Sequence, residues 1–229
     1  MRVTDLFEGR PGETQAAVLS ETREEIHVLL NSEHSLELYA EDRLLHRFLC
    51  TPSQLGALCA GWLLSEGYGG EAVEIAPDGR RATVEGALSA ALPPRPLTLA
   101  AAADPKEMLA LFHAGSDAHA RTHGIHECVI RGDGWSLCRT DIGRHNAIDK
   151  ALGAAILAGY ALEGATLFTS GRINVQTVEK AARCGIGCLM TKAVVTAQAL
   201  ARARALQLPL FFSVKEDHFL EGANLPCHN

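Results

Sequence analysis

The chain has 229 residues, 47% of them hydrophobic, enough for one large domain or two small ones with a core. Its net charge of -6 excludes a global basic field for nucleic acid or an anionic membrane, so an anionic ligand must meet a local cluster. No apolar run is long enough to span a bilayer, and Met1–Asp5 lack the charged-then-apolar pattern of a secretion signal, so a cytoplasmic protein is expected.

Residues 1–20 carry Gly and Pro with weak periodicity and are expected to form an irregular arm. Three short β-like runs follow, at Ile26–Leu30, Leu36–Tyr39 and Leu44–Leu49. The polar breaks at 31–33 and 41–43 suit turns between antiparallel strands. Thr51-Pro52-Ser53 reads as a helix start, with Thr51 as cap and Pro52 in the first position. Leu55, Leu58, Cys59, Trp62 and Leu63 recur at helical spacing up to Gly67. Further strands are expected at 73–75 and 82–84. Residues 87–104, rich in Ala, Leu and Pro, read as a linker. Asp104-Pro105 opens a helix to about Ala118.

Beyond it strands and helices alternate. Strands are expected at Glu127–Ile130, Trp135–Cys138, Ala165–Thr169, Gly187–Met190 and Leu208–Val214. Helices are expected at His145–Tyr160, Asn174–Arg183 and Val194–Leu206. This alternation predicts an α/β fold with a mixed or parallel sheet covered by helices. An α+β part over 1–90 precedes an α/β core over 105–229.

The densest chemistry lies between Asp141 and Lys150, Asp-Ile-Gly-Arg-His-Asn-Ala-Ile-Asp-Lys, where a strand ends and a helix begins. In α/β proteins that edge binds ligands. Gly143 permits a tight turn or a close backbone approach. Arg144 offers a planar fork for phosphate or carboxylate. His145 and Asn146 stand where free helix N–H groups favour an anion. Asp149 and Lys150 lie one turn on. The competing interpretation is a cap by Asp141 with an internal salt-bridge network.

Thr169–Asn174 also ends a strand and opens a helix, and Gly171-Arg172 repeats the Gly-Arg pair. Two such strand ends would set two guanidiniums around one crevice, suiting a nucleotide or pyrophosphate. The plainer alternative is a cap by Ser170 or Asn174. Thr122–Cys128 gathers His123, His126, Glu127 and Cys128. With Cys184 and Cys188 it makes zinc conceivable, but the spacing is not that of a finger or ribbon, so no metal is assigned. The seven cysteines do not form a disulfide framework, and most read as buried small hydrophobes. Cys227, beside His228 near the C-terminus, could be a reactive thiol.

The decapeptide resembles the DxGRHNAxDK hallmark of the formate dehydrogenase accessory protein family (FdhD). Ser170-Gly171-Arg172 resembles its SGR segment, and Lys180–Ile186 its KAxxxGI stretch. Thr51-Pro52, Leu55 and Ala60–Gly67 resemble its TPxxLxxLAxGFLxSEG run. Thr122, Gly124 and His126 resemble its TGGxH. The resemblance implies a cytidine-deaminase-like three-layer core and a homodimer. It also implies a client molybdenum or tungsten enzyme such as formate dehydrogenase, with a cysteine desulfurase supplying sulfur. The implied cofactor is molybdenum guanine dinucleotide, or a GDP-like nucleotide. The residues that fall to its binding are His126, Asp141, Gly143, Arg144, His145, Asn146, Asp149, Lys150, Ser170, Gly171, Arg172 and Lys215.

The family carries sulfur on a Cys-x-x-Cys pair, but residues 88–121 contain no cysteine. The thiols left for transfer are Cys128, Cys184 and Cys227. His123 disturbs the TGGxH run, and Ala193–Thr196 replaces SAPT. The terminal FxRxxR falls on Phe212–Asp217, where Lys215 is the one cation. Alternatives from other classes are a non-catalytic nucleotide-binding regulatory module and a zinc-dependent deaminase-like hydrolase.

Overall fold

The computed structural model describes residues 1–7, 9, 12–18, 21–86, 88, 104–115 and 124–222. The apolar runs of the first half form a five-stranded sheet. Its members are β1 (Arg2–Thr4), β4 (His34–Ala40), β5 (Arg43–Cys50), β6 (Ala72–Ile75) and β7 (Arg81–Glu85), in the order β1-β6-β7-β4-β5. β4 and β5 make the expected hairpin. The turn expected at 31–33 does not join antiparallel neighbours. Instead β3 (Glu25–Asn31) pairs with β2 (Gly12–Val18) in a separate two-stranded ribbon.

The irregular arm expected over 1–20 is thus corrected to two strands. β1 pairs in parallel with β6. No side chain described in the ribbon is buried, so no core face imposes the alternation by which strands are recognised.

Helix α1 (Leu55–Glu66) covers one face of the five-stranded sheet, packing Leu55, Leu58 and Leu63 against Leu36, Leu38, Val73 and Val84. It ends as expected at Gly67, whose φ of 84° only glycine adopts freely. Its start differs from expectation. Gln54 occupies the N-cap with φ 55° and no side-chain cap bond. The Asp5 carboxylate, from the far end of the chain, accepts the Gly56 N–H at 2.9 Å instead. Thr51 therefore caps nothing in α1.

The second half forms a six-stranded sheet. Its strands are β8 (His126–Gly132), β9 (Trp135–Asp141), β10 (Thr166–Thr169), β11 (Cys188–Thr191), β12 (Leu210–Phe212) and β13 (Leu220–Glu221), in the order β13-β12-β11-β10-β8-β9. β10, β11 and β12 run parallel, while β8 lies antiparallel to β10 and to β9. Helices α3 (Arg144–Leu157), α4 (Val175–Arg183) and α5 (Ala197–Ala205) pack on the face that bears Ile130, Leu167, Leu189 and Leu210. Helix α2 (Pro105–Gly115) packs on the other, against Val129, Phe168, Met190 and Phe211. The architecture is mixed α/β, with this half in three layers. The expected linker falls almost wholly outside the described residues. No helix among them is long and apolar enough to cross a membrane.

The halves meet where α1 crosses α3. A Cβ on Gly61 would stand 1.8 Å from the Asp149 carbonyl oxygen, and one on Gly153 would stand 1.9 Å from that of Ala57. Ala57, Gly61 and Ser65, four apart, make the small-residue face that allows this backbone contact. Gly61→Ala should therefore force the helices apart and destabilise the fold by about 3 kcal/mol, at the upper end for overpacking. Urea unfolding checks this, and an unchanged midpoint would refute the close approach.

Candidate functional site

The antiparallel register of β8 brings its start to the carboxyl ends of β10, β11 and β12, and β9 ends there too. Cys128 pairs with Thr169, and His126 with Asp141. One edge of the sheet, the crest, therefore gathers His126, the Asp141–Asn146 turn, the Ser170–Asn174 turn and Lys192. The chain emerging from β12 leads to Lys215 at the same end. The starts of α3 and α4 lie on this edge. The two segments singled out in the sequence thus come together, on β9 and β10 with β8 between them.

The crest turns are built from small residues and internal hydrogen bonds. Gly143 is the N-cap of α3 in extended backbone, without a side-chain cap. A Cβ on Gly171 would lie 2.8 Å from the Arg144 Cβ, so glycine there lets the arginine stem lie across the second turn. Arg144 is half-buried, and its Nε is buried without a hydrogen-bond partner. An orphaned buried donor calls for an explanation, and Arg139 Nε in β9 is buried without a partner as well. Arg172 is exposed. Asn174 caps α4, accepting from the Thr177 N–H at 3.0 Å. Ser170 Oγ accepts the Glu127 N–H at 3.0 Å and lies 3.3 Å from His126 Nδ1. His145 Nε2 lies 3.3 Å from Asn174 Oδ1, and burial, with the nearby Arg144 and Lys180 charges, lowers its pKa.

Three charged residues of the decapeptide point inward. Asp141, Asp149 and Lys150 are at most 1% exposed. Asp141 Oδ1 accepts the Gly143 N–H at 2.9 Å and Asn146 Nδ2 at 3.0 Å. Its Oδ2 lies 2.6 Å from Lys150 Nζ and 3.0 Å from both the N–H and the hydroxyl of Thr51. Asp149 pairs with Lys180 at 3.0 Å through both carboxylate oxygens, and accepts the Ser65 hydroxyl at 2.8 Å. These groups fasten the halves together and do not line the surface of the crest.

Sequence reasoning missed Lys192, which directly follows β11 at the position that Ser170 takes after β10. Its ammonium sits 4.9 Å over the Phe112 ring and 3.4 Å from His113 Nε2. A cation placed directly after a strand end was the available signal. Lys215 is exposed.

The described thiols offer little for sulfur transfer. Cys128 and Cys184, two of the candidates, are fully buried, and burial pushes the Cys128 thiol well up. Cys227 lies outside the described residues, as do Thr122 and His123. Burial and nearby Asp141 push Cys50 up to about 12. Cys138, half-buried, donates to Glu127 at 3.0 Å, and burial with that carboxylate raises its pKa as well. Among the described residues no group of three or more His, Cys, Asp or Glu could hold a metal ion. A recess of 730 Å³ lies between α2 and the β8–β9 turn, lined by Glu107, Leu111, Arg131 and Trp135, at the end of the sheet away from the crest.

The FdhD/NarQ family profile matches residues 79–220. A sulfur carrier protein FdhD from Brucella abortus biovar 1 (strain 9-941) is 34% identical over 113 residues, 48% of this chain and 42% of that one. The protein of the same name from Bacillus subtilis (strain 168) is 33% identical over 119 residues, 50% of this chain and 45% of that one. The match spans less than half the length of these relatives. A crystal structure assigned as a formate dehydrogenase accessory protein from Desulfotalea psychrophila superposes with a TM-score of 0.81 at 24% identity, covering 95% of this chain and 98% of that one. It shares the fold.

Burial raises the Asp149 carboxyl above its ordinary value against the pull of Lys180. Lys180→Met removes that pull and leaves a buried carboxylate without its cation, a loss of about 3–5 kcal/mol near pH 8. The folded carboxyl then holds its proton more tightly than the unfolded one. The penalty is therefore complete above the folded pKa and shrinks as pH falls through it. Urea unfolding of both proteins at pH 8 and pH 5.5 should show a smaller gap at pH 5.5. An equal or wider gap there would contradict this account of Asp149.

Proposed function

The chain belongs to the FdhD/NarQ family, and on that premise we propose that it helps mature a molybdenum or tungsten enzyme such as formate dehydrogenase by binding the guanine-dinucleotide molybdenum cofactor at the crest. The observation that carries this reading is the buried, partnerless Nε of Arg144, laid across Gly171 beside the exposed Arg172. A pyrophosphate would meet both guanidiniums and the N–H groups at the starts of α3 and α4. Lys192 adds a third cation. When bound, the cofactor supplies the metal centre of the client's redox chemistry. The residues of this chain bind and orient its anionic part.

In this reading the six-stranded half is a cytidine-deaminase-like core, and the protein works in the cytoplasm as a homodimer. The described thiols are buried or held protonated, whereas sulfur transfer needs an accessible thiolate. Support therefore favours cofactor binding and delivery, with sulfur from a cysteine desulfurase carried on a thiol other than these six.

Calorimetric titration with GDP should show binding that weakens with salt. Arg144→Ala and Arg172→Ala should each weaken it about tenfold or more, as expected for a lost charged hydrogen bond. No binding by the unaltered chain at millimolar GDP, or an unchanged affinity in the double variant, would refute the crest as the site. Incubation with a cysteine desulfurase and cysteine, read by mass spectrometry, should leave Cys50, Cys59, Cys128, Cys138, Cys184 and Cys188 without an added sulfur. A persulfide on any of them would restore direct transfer.

A further inference from the structure

We infer that Thr51 is a positioning residue for the crest, fixing the Asp141–Asn146 turn, and with it Arg144, in the geometry that receives an anion. The inference rests on the cofactor-binding reading above. Thr51 follows β5 in the five-stranded half, 90 residues from Asp141, and is 2% exposed. Both its N–H and its hydroxyl lie 3.0 Å from Asp141 Oδ2. Lys150 Nζ stands 2.7 Å from the same hydroxyl oxygen and 3.2 Å from the Thr51 carbonyl. The hydroxyl therefore gives its one proton to the carboxylate and accepts one from the ammonium. Only a hydroxyl of this size does both; valine fills the same volume and does neither.

The other Asp141 oxygen holds the turn itself, through the Gly143 N–H and Asn146 Nδ2. Asn146 Nδ2 also donates to the Leu49 carbonyl at 2.7 Å, a second tie to the end of β5. Arg144 lies between Gly143 and Asn146, so the ties on both sides of it lead back to residues 49–51. The capping role that the sequence suggests for Thr51 is filled by Asp5. What remains for the Thr51 side chain is to hold the carboxylate on which the turn is built.

A joint that merely glued the halves would affect stability alone. A second buried bond, Ser65 to Asp149 at 2.8 Å, joins the same two halves without touching the crest turn and serves as the control. Thr51→Val, Thr51→Ser and Ser65→Ala are to be compared by thermal unfolding and by GDP affinity, at a temperature where each is folded. Thr51→Val and Ser65→Ala should both lower the melting temperature, but only Thr51→Val should raise the GDP Kd, about tenfold, and Thr51→Ser should restore it. Equal affinity in folded Thr51→Val, or equal weakening by Ser65→Ala, would overturn the inference.

Amide hydrogen exchange of the unaltered chain gives a second test, independent of how the variants fold. GDP should slow exchange at both Gly143 and Thr51; protection at Gly143 without any at Thr51 would also overturn the inference. If the unaltered chain binds no GDP, the cofactor reading fails and this inference falls with it. If it binds and Thr51→Val binds equally, only the positioning role fails.

Discussion

Everything else in the molecule depends on the contact between α1 and α3. Gly61 and Gly153 let two helix backbones touch, closer than any side chain permits. Polar groups on the second turn of α3 are thereby cut off from water and must find partners inside the protein. Asp149 finds Lys180 and Ser65, and Lys150 finds Asp141 and Thr51. Each is a buried charge that is tolerable only in company, because removing one member strands the other. The two halves are thus fixed by two separate charged networks as well as by apolar packing.

The same contact divides the decapeptide by depth. Its carboxylates and its lysine turn inward to the joint, while Arg144, His145 and Asn146 stay half-exposed at the start of α3. His145 is held below its ordinary pKa by burial and by neighbouring cations. Near neutral pH it serves as a neutral donor or acceptor and not as a charge. The positive character of the crest comes from Arg144, Arg172 and Lys192, with Lys215 beyond. In a chain of net charge -6 these cations come from the strand ends of one sheet edge.

The alternation of strands and helices after residue 125 was legible because each element buries a face and so carries a period. The two Gly-Arg turns were legible as strand ends, and the register of β8, β9 and β10 explains why they meet. Thr51 was misread because its local context, Thr-Pro-Ser, is that of a cap. The actual cap, Asp5, is fifty-one residues from the Gly56 N–H it accepts, and no local pattern encodes it. The run at Ile26–Leu30 was legible as a strand, but β2 and its pairing with β3 escaped because the ribbon buries nothing described. Asp149 and Lys150 were assigned to cofactor binding, with an internal salt-bridge network as the alternative, because sequence gives periodicity but not what covers a helix. Here the covering helix is α1, and the only trace of it in the sequence is the spacing of Ala57, Gly61 and Ser65.

Anion binding and sulfur carriage make different electrostatic demands, and among the described residues the cations of the crest and the thiols lie apart. A persulfide carrier needs an accessible thiol near positive charge, which favours the thiolate. The cations here stand at the crest, whereas the thiols lie in the cores. The two thiols nearest to polar surroundings face acids: Cys138 faces Glu127, and Cys50 feels Asp141. A neighbouring carboxylate opposes ionisation of a thiol just as burial does. Binding through Arg144 and Arg172 needs no thiol, so it can persist without the Cys-x-x-Cys pair. In the proposed role, the carrier that hands over sulfur must bring its own thiolate to the crest, where the cations that hold the cofactor would also favour the incoming anion.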